Sequence, residues 1–104
     1  MTKIVVKDIA GPQCGTYDDG NKVFLVASDA IRAGNSVDLD FDGVEVLTSS
    51  FVNGAVGNLL RTFGDDILKT HLTLTPRNGK DKYVLDKTLQ AIRGAGSEGG
   101  VKVG

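Results

Sequence analysis

The chain has 104 residues, 40% of them hydrophobic and 24% charged. That length supports one domain whose core needs neither disulfides nor metal, and that composition excludes a fibrous or wholly disordered chain. Twelve Lys and Arg against 13 Asp and Glu leave a formal charge of −1, so there is no electrostatic drive toward nucleic-acid phosphates or anionic lipid.

The single Cys14 cannot form an intrachain disulfide, and Met1-Thr2-Lys3 leads into a β-like run rather than the apolar core of a secretory signal. No apolar stretch approaches the roughly 20 residues that span a bilayer. The expected setting is the reducing cytoplasm.

In chain order, the β-branched run Lys3 to Val6 predicts a short first strand or hairpin, and Gly11-Pro12 with Gly15 reads as turn and loop. Val23, Phe24, Ala27, Ala30 and Ile31 then recur at helical spacing, with acids before the first turn, Arg32 in the last and Gly34 beyond it. This is the first long helix. Val37, Leu39 and Phe41 alternate with Asp38, Asp40 and Asp42, the period of a strand with one apolar face.

Asp42-Gly43 ends that strand, and Val44 to Leu47 is short and apolar. Thr48-Ser49-Ser50 precedes Val52, Ala55, Val56, Leu59, Leu60 and Phe63, an amphipathic helix whose N-terminal hydroxyls are placed to cap free N–H groups. After Gly64-Asp65-Asp66, Leu72 and Leu74 alternate with polar neighbours in a strand closed by Pro76 and Asn78-Gly79. Leu85, Thr88, Leu89 and Ile92 line a last helix.

Alternating strands and helices predict one α/β domain over 1–93, with a mixed sheet of four or five strands and helices mainly on one face. Residues 94–104, rich in glycine, are expected to form a flexible tail.

Several patterns suggest chemistry and then fail it. Asp38, Asp40, Asp42 and Gly43 begin like a calcium loop, but the twelfth position is Ser49 instead of a bidentate glutamate, and Leu39 and Phe41 suit a core. Gly94-Ala95-Gly96-Ser97-Glu98-Gly99 spells the dinucleotide pattern, yet it follows a helix and does not join a strand to one. His71, the only histidine, reads as a surface residue, and Asp65, Asp66, Arg77, Lys80 and Lys82 read as solvated loop charges. No catalytic set, metal site or cofactor motif is expected. Ser49 and Ser50 differ from these candidates: a hydroxyl at a helix start lies where a phosphate could be held by the free N–H groups, adding up to about two negative charges.

The stretch from Val37 through Asp40, Gly43-Val44 and Thr48-Ser49-Ser50 to Phe51 resembles the core of STAS domains, the fold of anti-sigma-factor antagonists. There a Leu-Asp-Leu strand leads through a Gly-Val turn to an Asp-Ser-Ser element opening a helix. Val37 through Leu60, with a helix before it and a strand and helix after, more narrowly resembles the STAS-like family of unknown function found in bacteria and their mobile elements.

The resemblance implies a non-enzymatic partner-switching module, bound by an ATPase of the histidine-kinase fold that phosphorylates the first serine of the element. That serine falls on Ser49 and the next on Ser50. The preceding aspartate is replaced by Thr48, and the glycine common after the serines by Phe51. The expected partner-binding residues are Thr48, Ser49, Ser50, Asn53 and Asn58. An alternative is a structural or inhibitory binder without phosphorylation, acting as a homodimer rather than a monomer through the helix carrying Gly54 and Gly57.

Overall fold

The computed structural model describes residues 2–101, with side chains for 2–93. Residues 94–104, read above as a tail holding a dinucleotide-like pattern, lie outside the described side chains. Strand β1 (Thr2–Val5) runs into a one-turn helix α1 (Val6–Ala10), a two-residue strand β2 (Gln13–Cys14) and the long helix α2 (Tyr17–Arg32). Next come β3 (Val37–Asp40), β4 (Val46–Leu47), and a continuous helical run made of α3 (Ser49–Val52), a π turn (Asn53–Gly57) and α4 (Asn58–Phe63). Short α5 (Ile67–Thr70), β5 (Leu72–Thr75) and α6 (Gly79–Val101) complete it.

The sheet order is β1-β3-β5, and β2 pairs separately with β4. Every pairing is parallel. This corrects the expected mixed sheet. Both connections within the main sheet, β1 to β3 and β3 to β5, are crossovers that contain helices and return the chain in the same direction, and no tight hairpin joins neighbours. Among the described residues the strands also divide into sheets of three and two instead of forming one.

The register puts Ile4 beside Leu39 and Leu39 beside Leu74, with Val37 beside Leu72. These side chains turn to one face, where Val37 and Leu39 are fully buried in a single core with Phe41, Phe51 and Leu59. The other face carries Lys3, Asp38, Asp40 and Thr75. Thr75 donates to Asp38 Oδ1 at 2.7 Å, and Lys3 Nζ lies 3.0 Å from Asp40 Oδ2. The alternation read from Val37 to Asp42 is thus a strand with an acidic side as far as Asp40, and Phe41 and Asp42 lie beyond it. Among the described residues no group of three or more His, Cys, Asp or Glu could hold a metal ion.

Helix α2 has two identifiable ends, and α6 an identifiable start. Thr16 caps α2 by accepting from the Asp19 N–H at 3.1 Å, and Asp18 and Asp19 complement the helix dipole. At the other end Gly34 takes φ +92°, a backbone state that a side chain would strain, and its N–H satisfies the Ile31 carbonyl. Asn78, read as part of a strand-closing turn, also caps α6 by accepting from the Asp81 N–H at 2.9 Å. Arg77 is not a solvated charge either. Its Nη2 donates to buried Asp81 at 3.1 Å, while its Nε makes a 3.0 Å charge contact poorly aligned for a second hydrogen bond. Among the described residues no helix is long and apolar enough to cross a membrane.

Candidate functional site

The candidate site is built where two parallel segments run side by side into two helices. Gln13 pairs with Val46 and Cys14 with Leu47, which sets Thr16 at the start of α2 beside Thr48 at the start of α3. Three bonds hold Thr48 at this junction. Its N–H donates to the Cys14 carbonyl at 3.1 Å, its hydroxyl donates to the Gly15 carbonyl at 3.0 Å, and its Oγ1 accepts from the Phe51 N–H at 3.2 Å.

Of the three hydroxyls expected to cap this helix, Thr48 alone does so, which corrects the capping role expected of Ser49 and Ser50. Helix geometry explains the assignment. The capping residue must be extended and its side chain must reach the N–H three residues on; Thr48 has φ −116°, ψ 161°, and the serines already belong to the first turn. Among the described residues neither serine hydroxyl makes a hydrogen bond, and both serines are exposed. The hydroxyl run thus divides into one locked threonine and two free serines.

Thr48 also accounts for the missing aspartate. A carboxylate could accept from the Phe51 N–H, but it has no proton to give the Gly15 carbonyl and would face that oxygen with like charge. A hydroxyl does both. Beneath it, Cys14 is buried, its thiol donates to the Gly11 carbonyl at 3.4 Å, and its pKa is pushed up to about 11 by burial first and then by the charge of Asp19 and Asp81. At neutral pH its thiol is protonated and packs beside the site.

Asn53 and Asn58 occupy the π turn and the first position after it. A π turn loosens the regular bonding of a helix, and side chains supply bonds to carbonyls around it. Asn53 Nδ2 donates to the Ser49 carbonyl at 3.2 Å, Asn58 Nδ2 to the Gly54 carbonyl at 2.9 Å, and Arg61 Nη2 to the Asn53 carbonyl at 3.2 Å. Asn58 also receives the Tyr17 hydroxyl at 3.1 Å and Arg61 Nη2 at 3.1 Å on its Oδ1, and donates to Asn21 at 3.3 Å.

Sequence reasoning missed Tyr17, Asn21 and Arg61 in this network. The available signal was the one-turn spacing of Tyr17 and Asn21 on α2 and of Asn58 and Arg61 on the facing helix. Tyr17 keeps 46% of its surface exposed, and Val46, two residues before Thr48, keeps 41%. Free serines, tethered asparagines and these two apolar side chains make up the surface around the helix start.

Gly54 and Gly57, which motivated docking of a second copy, are both buried by their own chain. A Cβ on Gly54 would collide with the Tyr17 carbonyl, and one on Gly57 would meet Arg61 and Ile92. His71, read as a surface residue, is half-buried. It ends α5, bonds through its carbonyl to Val37 and through Nδ1 to Thr70 Oγ1 at 2.9 Å.

The central strand of the parallel β1-β3-β5 sheet thus leads through a glycine turn to a hydroxyl-capped helix, an α/β arrangement. The model of one family, described as STAS-like domain of unknown function (DUF4325), matches residues 19–82, more than half of the chain, and the chain belongs to that family. No curated protein and no solved structure matches it.

Proposed function

We propose that this domain is a non-enzymatic protein-binding module of the partner-switching kind, acting in the cytoplasm as a monomer or homodimer. Its docking face consists of Thr48, Ser49 and Ser50 with the half-buried Asn53 and Asn58 of the following helix. Phosphorylation at Ser49, or at Ser50, switches it, and the partner is an ATPase of the histidine-kinase fold. The observation that carries this reading is the division of labour in the hydroxyl run: Thr48 holds the helix start, leaving two exposed serines free of structural duty.

A phosphate there acts on the surface and leaves the fold in place. Two added charges beside Val46 and Tyr17 must be desolvated when a partner covers them, which weakens docking. The reading is tested by incubating the purified chain with such an ATPase and ATP, then mapping phosphate by mass spectrometry. Phosphate on Ser49 or Ser50 and not on Thr48 is the expected result; phosphate confined to other residues, or none, counts against the switch. Docking without phosphorylation, as a structural or inhibitory binder, is the second reading; Gly54 and Gly57, which suggested it, are buried within this chain.

A further inference from the structure

We draw no further inference here: the strongest candidate, the exposed apolar patch of Leu25 and Val26 on the outer face of α2, is an unpartnered helix face, and nothing in the structure shows what covers it.

Discussion

Thr48 shows how much one side chain can settle. Removing its hydroxyl in Thr48→Ala deletes the cap and leaves the Gly15 carbonyl without its donor, at an expected cost of about 1–2 kcal/mol, read as a lower urea midpoint at unchanged m. Thr48→Asp restores the residue found in the antagonists and ordinarily an excellent cap. It is nevertheless expected to be less stable than the wild type, because the carboxylate cannot donate to Gly15; a midpoint at or above the wild-type value would refute this account of the replacement.

On the open face of the sheet, the carboxyl of Asp40 is held below its usual range by the Asp42 backbone N–H and then by Lys3, and the Lys3 ammonium is raised by Asp40. A depressed carboxyl stabilises the fold above its unfolded pKa of about 3.9 and loses that contribution as pH falls through its lower folded value. The raised lysine contributes fully below about 10.4 and loses its contribution as pH rises through its higher folded value. Stability measured against pH should therefore fall less steeply on the acid side in Asp40→Asn. Lys3→Met should keep most of that acid slope, because the backbone N–H is the larger cause.

At the scale of elements, the tightest constraint is the crossing of α2 with the π turn. A Cβ on Gly20 would collide with the Phe51 carbonyl oxygen, and one on Gly54 with the Tyr17 carbonyl oxygen; in both cases the obstacle is backbone. Gly20→Ala and Gly54→Ala should each cost about 2–3 kcal/mol despite alanine's better helix propensity, lowering Tm by about 10 °C or more. Gly57→Ala meets only the flexible end of Arg61 at 3.0 Å and Ile92 Cδ1 at 3.2 Å and should stay within about 1 kcal/mol of the wild type. Equal losses at all three positions would contradict this reading of the crossing.

The elements also show what a sequence discloses. Period-two alternation at Val37 to Asp40 and the apolar stripe from Val52 to Leu60 were legible because burial on one face imposes them directly. The short pieces were not. Val6 follows directly on the β-branched run of β1 and only five residues form α1, β2 places two residues among Gly and Pro, and α5 is a single turn. The π turn is equally silent, since its wider turn still leaves apolar residues on the buried side. Of the site, the hydroxyl run was visible, but three consecutive hydroxyls are equivalent until a pairing partner ends the strand. The bond from the Thr48 N–H to Cys14 makes that choice.

Across the whole molecule, the region shared with the family, 19–82, begins inside α2 and ends in the first turn of α6. It omits β1 and β2, although β1 pairs along the length of central β3 and Ile4, Val6 and Cys14 belong to the core. Deleting residues 1–15 should therefore abolish the cooperative urea transition, and a truncated chain that unfolds with wild-type midpoint and slope would show that the family region folds alone. The switch is expected to leave this scaffold intact, because a negative charge in the first turn of a helix contributes about 0.3–1 kcal/mol of stability. Ser49→Asp should unfold at or slightly above the wild-type midpoint.

The central claim is that Ser49 controls docking without holding the fold, and it is tested most directly by titrating a histidine-kinase-fold ATPase with the wild type, Ser49→Ala and Ser49→Asp. The account predicts that the first two bind alike and that Ser49→Asp binds about 100-fold more weakly, the order expected when an unpaired charge is buried in an interface. Three equal affinities would contradict it.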